Sequence, residues 1–214
     1  MNIRETRKDY NRLALNVQSP EATPFPLMEQ WMKEAAADDP EDFNAFVLST
    51  STADGVPSAR VVLARDISEQ GIQFFTNHKS QKGQQLLANP RAAATFFWKG
   101  LERQLRIAGE VRPLSDEASD AYFASRPRSS QIGAWASNQS APFHKDPTEL
   151  TDAFRKFEQS FDADSPVPRP PHWGGFLIAL GEVEFWQGRP SRLHNRLRYR
   201  ASSPGSWQID VLNP

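Results

Sequence analysis

The chain contains no cysteine and only four histidines among its 214 residues. Without cysteine it can form neither a disulfide nor a thiolate nucleophile, and the scattered histidines do not show the spacing of metal ligands. Lys and Arg together number 25 and Asp and Glu 26, so the net charge of -1 creates no overall field that would attract nucleic acid or an anionic membrane. Composition therefore excludes thiol enzymes and disfavours metalloenzymes and nucleic-acid-binding modules.

Long apolar runs are also missing. Residues 1–26 carry charges throughout and lack the apolar stretch of a signal peptide, and no later run has the length needed to span a bilayer. We therefore expect a soluble, cytoplasmic protein. The length favours a single domain over residues 27–214, and the polar residues 1–26 are expected to form a flexible N-terminal arm.

The hydrophobic pattern predicts a mainly β chain with peripheral helices. Short apolar segments bounded by turn residues predict strands over 46–52, 58–65, 72–77, 92–98, 104–111, 176–180, 183–187, 197–200 and 207–212. Helical spacing and capping residues predict helices over 27–37, 80–87, 115–124 and 147–161. The proline-rich residues 166–171 are expected to be an extended connector within one domain, because the strands after them are too few for a second core.

Two segments have the composition of an anion-binding site. Residues 125–140 read SRPRSSQIGAWASNQS and combine two arginines and many short hydroxyl and amide groups with apolar side chains that require burial. This pattern favours a phosphate-bearing ligand held against a packed wall, although Arg126 before a proline is also typical of a helix end with a surface arginine. Residues 184–196 read EFWQGRPSRLHNR, and an extended backbone there predicts that Arg192 and His194 share one face.

Together these segments resemble the pyridoxine (pyridoxamine) 5′-phosphate oxidase family. The resemblance continues in SARVVL at 58–63, FTN at 75–77, SQKG at 80–83, NPR at 89–91 and LERQ at 101–104, in order from about Arg7 to the last residue. It implies a six-stranded antiparallel FMN-binding split β-barrel with peripheral helices. It also implies a homodimer with the flavin sites at the subunit interface.

The activity implied by this resemblance is that of a pyridoxal 5′-phosphate synthase. Such an enzyme oxidises pyridoxamine 5′-phosphate and pyridoxine 5′-phosphate with O2 and releases H2O2, together with ammonia from the amine. The residues that match the family's FMN site are Arg60, Val61, Val62, Leu63, Arg65, Phe75, Thr76, Gln81, Lys82, Gln104, Gln139, Ser140, Trp186 and Arg196. Among them Arg60 and Lys82 are expected to hold the cofactor phosphate, although the apolar strand residues would line the core of any barrel.

The residues that match the family's substrate site fall into three groups. A clamp for the substrate phosphate is implied at Arg65, Tyr122, Arg126 and Ser130. Arg192 and His194 are implied as catalytic residues over the pyridine ring, where its C4′ carbon meets the flavin. Arg7 and Tyr10 match a lid on the N-terminal arm.

The sequence departs from the family pattern at four positions. Gln81 stands where arginine is usual, Arg65 where lysine is common, Asn195 where aspartate is usual and Val211 where arginine is expected. Two other functions stay open at this point. They are a flavin oxidase of the same fold that acts on another ring system, such as a phenazine precursor, and a non-catalytic protein that binds FMN or pyridoxal phosphate.

Overall fold

The computed structural model describes residues 9–143 and 146–214, so Arg7 of the predicted lid lies outside the described residues. Five α-helices occur in these ranges: α1 Phe25–Asp38, α2 Gln81–Ala88, α3 Asp116–Ser125, α4 Arg128–Ala136 and α5 Thr148–Ser160. The strands are β1 Ala45–Ser51, β2 Pro57–Leu63, β3 Asp66–Ser68, β4 Gly71–Asn77, β5 Arg91–Trp98, β6 Arg103–Pro113, β7 Trp173–Ala179, β8 Glu182–Gln187, β9 Asn195–Ser203 and β10 Ser206–Leu212. The expected class, mainly β with peripheral helices, is therefore observed.

Strand β6 is the branch point of an antiparallel sheet. Seven strands follow the order β10-β9-β8-β6-β5-β1-β2, while β7 pairs with β6 and β4, and β4 pairs with β3. The first part of β6 pairs with β8 and its last residues pair with β7, so the sheet divides along this strand. Gly109 lies at the division, where a Cβ atom would be 1.8 Å from the carbonyl oxygen of Ala179. Only glycine allows the two backbones to approach so closely.

The core lies on the inner face of the curled sheet. Alternation along β1 and β5 places Phe46 and Phe96 inside, and their rings lie 5.2 Å apart. Helix α1 covers the barrel with Met28, Trp31 and Ala35, which recur at helical spacing and are all buried. The four-residue spacing of Leu27, Trp31 and Ala35 predicted a buried face on this helix, but Leu27 is only partly buried and Met28 takes its place. The described part of the chain includes no helix with the length and apolar character needed to cross a membrane.

A second apolar cluster joins the helices to the sheet. Phe123 of α3, Ile132 of α4, Val167 of the connector and Trp173 of β7 are all buried there. Helix α4, which was not predicted, begins at Arg128 directly after Pro127. The cluster supplies the packed wall that the composition of residues 125–140 requires.

The prediction of an extended backbone at Arg192 and His194 is wrong. Residues Pro190–Arg192 form a short 3-10 turn, closed by the N–H of Leu193 donating to the carbonyl of Pro190 at 3.1 Å. Ser191 and Arg192 both have positive φ angles, of 56° and 61°. Pro190 fixes its own φ and favours a turn, which ends the alternation on which the prediction depended.

Candidate active site

A cavity of about 940 Å³ opens between β2, β4 and the helices α2, α3 and α4. Its walls come from β2 and β4, which lie in different parts of the divided sheet, and from the three helices with the residues that follow them. The lining consists of Ser58, Ala59, Arg60, Val61, Val62, Leu63, Arg65, Phe75, Thr76, Asn77, Gln81, Lys82, Tyr122, Arg126, Ser130, Gly133, Ala134, Ser137, Gln139, Ser140 and Trp173. Most of the predicted cofactor residues and the whole predicted phosphate clamp therefore line one cavity.

The charge of this lining is of one sign. Arg60, Arg65, Lys82 and Arg126 line the cavity, and no Asp or Glu from residues 9–143 and 146–214 does. Among the ion pairs within the described ranges, none involves any of these four side chains. Cations gathered in a concave site without carboxylates require anionic ligands to balance them.

Arg60 and Lys82 form one half of this cationic surface. The Lys82 ammonium is buried and donates to Thr76 Oγ1 at 3.1 Å and to Ser80 Oγ at 3.3 Å. Ser80 also caps α2, whose N–H groups and positive dipole end lie beside the lysine. Burial lowers the pKa of Lys82, and the nearby charge of Arg60 lowers it further. A bound phosphate would offset both the burial of the ammonium and its repulsion by Arg60. The residues therefore fit the phosphate of FMN.

Arg126 forms the other half. Its Nη1 is buried and has no hydrogen-bond partner among the described residues, while the guanidinium carbon lies 4.7 Å from the centre of the Trp173 ring. Burial lowers the pKa of Arg126, and the charge of Arg65 acts in the same direction. Tyr122 stands beside them, stacked on Phe75 at 4.0 Å. A buried donor without a partner in the protein is suited to an anionic ligand.

The remaining predicted residues do not line this cavity. Gln104, Trp186, Arg192, His194 and Arg196 lie on β6, β8, β9 and the turn before β9. Strand β8 is separated from β2 by β6, β5 and β1, which is four strand spacings or roughly 19 Å along the sheet. We refer to these five residues as the β8–β9 group. Within one chain, the predicted site is therefore divided between the cavity and the β8–β9 group.

Pairing register shows that the cavity wall at Val61 shares one face of the sheet with the strand residues of the β8–β9 group, Gln104, Trp186 and Arg196. Val61 lies opposite Val47, Phe97 opposite Gln104, Gln104 opposite Trp186 and Trp186 opposite Arg196. Val47 also lies opposite Thr95, two residues before Phe97 on β5. Directly opposite residues point to the same side of an antiparallel sheet, so this face runs without a break from the cavity to β9.

Tyr10 of the arm packs on the β8–β9 group. Its ring makes edge contacts with Trp186 at 5.6 Å and with His194 at 5.7 Å between centroids. The next residues of the arm are held by Arg12, whose N–H donates to Glu102 Oε2 at 3.1 Å and whose guanidinium lies 3.4 Å from Asp38. Tyr10 and His194, which were both predicted as substrate residues, are therefore brought together.

Several lining residues were not predicted, namely Ser58, Ala59, Asn77, Gly133, Ala134, Ser137 and Trp173. Ser137 belongs to the polar segment 125–140, so its composition was a usable signal. No signal in the sequence indicated that Trp173 lines the cavity, because a tryptophan at a strand start is typical of any barrel core. Its role becomes visible only through its contact with Arg126.

Comparisons with known proteins identify the family of the chain. The family model described as Pyridoxamine 5′-phosphate oxidase matches residues 32–160, and the model of the Pyridoxine 5′-phosphate oxidase C-terminal dimerisation region matches residues 173–214. A protein of Bordetella avium named Pyridoxine/pyridoxamine 5′-phosphate oxidase is 49% identical over 214 residues, which is 100% of both chains. A protein of the same name from Ralstonia pickettii is 47% identical over 212 residues, 99% of each chain.

Solved structures give the same fold. PhzG from Burkholderia lata 383, solved in complex with tetrahydrophenazine-1-carboxylic acid, has a TM-score of 0.88 at 28% identity and covers 97% of this chain and 100% of its own. A pyridoxamine 5′-phosphate oxidase-related, FMN binding protein from Nostoc punctiforme has a TM-score of 0.72 at 18% identity, over 91% of this chain and 100% of its own. These neighbours confirm the split-barrel class, and the sequence matches show that the chain belongs to the pyridoxine/pyridoxamine 5′-phosphate oxidase family.

Proposed function

We propose that the protein is an FMN-dependent oxidase that converts pyridoxamine 5′-phosphate and pyridoxine 5′-phosphate to pyridoxal 5′-phosphate with O2 as acceptor. One observation carries this proposal: the cavity holds two pairs of cations, Arg60 with Lys82 and Arg65 with Arg126. FMN, the cofactor of this family, brings one phosphate, and a B6 phosphate ester brings another. A substrate without a phosphate would leave the second pair unbalanced.

The chain's own residues bind and orient the two ligands. Arg60 and Lys82 hold the FMN phosphate, and the backbone of β2 and β4 supplies hydrogen-bonding groups for the flavin ring. Arg65, Arg126 and Ser130 hold the substrate phosphate, with Tyr122 beside them. When bound, FMN supplies the redox chemistry, in which hydride leaves C4′ of the substrate and O2 is reduced to H2O2. No protein nucleophile is required, since positioning is the main task of the side chains.

We propose further that a second copy of the chain completes the site. Val47, Val61 and Phe97 are exposed on the shared face next to the cavity, and an apolar face of this kind is typical of an interface. The residues matched by the dimerisation model, 173–214, include most of the β8–β9 group. Packing of two such faces would carry Arg192 and His194 of each copy to the cavity of the other.

The structural likeness to PhzG supports a second candidate, the oxidation of a phenazine precursor. The discriminating experiment uses purified full-length protein reconstituted with FMN in air. Pyridoxamine 5′-phosphate and tetrahydrophenazine-1-carboxylic acid are offered separately, and aldehyde, peroxide and phenazine absorbance are followed. We expect rapid formation of pyridoxal 5′-phosphate and peroxide. Turnover of the phenazine precursor alone would replace the proposal with the second candidate, and binding of FMN without turnover of either would refute oxidase activity.

A further inference from the structure

Arg189 makes two contacts across the turn that carries Arg192. Its main-chain N–H donates to Nδ1 of His194 at 3.1 Å, and its Nη1 donates to Oδ1 of Asn195 at 3.0 Å. Arg189 lies just after β8, and Asn195 is the first residue of β9. The two bonds therefore close the base of the turn on both sides of Arg192.

The first bond determines where the imidazole of His194 carries its proton. A main-chain N–H can only donate, so Nδ1 must accept and cannot itself be protonated while this bond exists. The neutral ring then carries its proton on Nε2. Burial lowers the pKa of His194, and the charge of Arg192 lowers it further, which keeps the ring neutral. The rings packed on it are Tyr10 and Trp186.

The second bond explains why an amide is suitable at position 195. An aspartate there would add a negative charge next to His194 and would favour the imidazolium. Asn195 accepts from Arg189 without that charge. The turn also needs to be held, because Ser191 and Arg192 are consecutive non-glycine residues with positive φ, a conformation that L residues rarely adopt.

We propose that Arg189 is a positioning residue of the B6-phosphate site, whose main-chain N–H fixes His194 as the Nε2–H tautomer while its side chain holds the turn through Asn195. His194 then acts toward the substrate ring as a hydrogen-bond donor through Nε2 and not as a proton acceptor. The part of the proposal that concerns the substrate rests on the proposed function. The tautomer of His194 and the support of the turn are independent of the proposed function.

The tautomer can be measured without turnover. Nitrogen NMR of full-length protein labelled on its four histidines separates protonated from unprotonated ring nitrogens. The His194→Gln variant identifies the His194 signals by their loss. We expect an unprotonated Nδ1 and a protonated Nε2 at neutral pH, and in Asn195→Asp a midpoint of His194 titration at higher pH. A proton on Nδ1 of the unaltered protein at neutral pH would overturn the proposal.

Steady-state kinetics test the positioning role of the Arg189 side chain. Because one hydrogen bond is lost, Arg189→Ala should raise the KM for pyridoxamine 5′-phosphate roughly fivefold with little change in FMN affinity. Arg189→Lys should recover part of this loss, and Asn195→Ala added to Arg189→Ala should have no further effect. Arg200→Ala is the matched control, since Arg200 of β9 pairs with Asp210 of β10 at 3.2 Å and lies outside the site. An unchanged KM in Arg189→Ala, or an equal loss of FMN affinity, would refute the positioning role.

Discussion

The guanidinium carbon of Arg126 lies 4.7 Å from the centre of the Trp173 ring, and within the described part of the chain its buried Nη1 is unpaired. The cation is stabilised by the ring face, yet its hydrogen-bonding capacity toward an anion is unused. We predict that Arg126→Ala raises the KM for pyridoxamine 5′-phosphate about 10- to 100-fold, the cost of a charged hydrogen bond. FMN affinity should change little, because in the proposed function Arg60 and Lys82 bind the cofactor phosphate. Steady-state kinetics and flavin fluorescence titration measure the two effects.

The conservative variant Arg126→Lys is the control for this prediction. It keeps the charge but loses the planar guanidinium that can donate two parallel hydrogen bonds. Its KM should therefore lie between those of the unaltered protein and the alanine variant. Equal losses of FMN and substrate binding in Arg126→Ala would mean that this arginine faces the cofactor phosphate.

FMN binding should weaken at alkaline pH because of Lys82. Burial and the charge of Arg60 lower the pKa of this lysine, so it loses its proton at a lower pH than a solvent-exposed lysine does. Only the protonated ammonium attracts the phosphate of FMN. We predict that FMN affinity falls as pH rises through this lowered pKa, measured by titrations between about pH 7 and about pH 10. Lys82→Arg should show a flatter dependence, since arginine stays charged, and identical pH profiles for both proteins would contradict the assignment.

Arg128 should stabilise the wall of the cavity without touching the ligands. Its guanidinium donates to the carbonyl oxygens of Phe161, Asp162 and Ser165, at 3.2, 2.7 and 2.7 Å, and so connects the start of α4 to the residues that follow α5. We predict that Arg128→Ala lowers the free energy of unfolding by about 1–3 kcal/mol and raises substrate KM, because Ser130 on α4 loses its support. Denaturant melts and kinetics measure this, with the exposed Arg155→Ala as control. Equal effects of the two variants would contradict a specific role for Arg128.

Local signals in the sequence were sufficient for much of the fold. Ser80 and Ser115 were predicted as helix starts, and in the structure each side chain accepts the capping bond, from Gly83 and Ala118 respectively. The short apolar segment around Val61, bounded by turn residues, predicted the strand that borders the cavity. These features depend on neighbouring residues only, so they can be read from a sequence.

The missed features depend on contacts between distant residues. Helix α4 has no side-chain cap, and it is supported by Arg128 and by Trp135, whose indole N–H donates to the carbonyl of Pro168 at 2.8 Å. The left-handed backbone of Ser191 and Arg192 has no sequence signature, because neither residue is glycine. Neither the tautomer of His194 nor the approach of Tyr10 to it could be predicted from spacing along the chain.

The completion of the site by a second copy can be tested at Phe97. This side chain is 55% exposed on the face shared by the cavity and the β8–β9 group, opposite Gln104. A carboxylate there would be buried without a partner in the proposed dimer, so Phe97→Asp should give monomers in sedimentation experiments. Because Trp186 and Arg196 of the second copy would then be absent, FMN affinity should fall with the dimer.

The matched control is Val56→Asp, since Val56 is 56% exposed but lies in the turn before β2. It should remain dimeric with unchanged FMN affinity. If Phe97→Asp becomes monomeric and yet binds FMN and oxidises pyridoxamine 5′-phosphate normally, then one chain forms the complete site. In that case Arg192 and His194 would have to act in another place, since neither lines the cavity of their own chain.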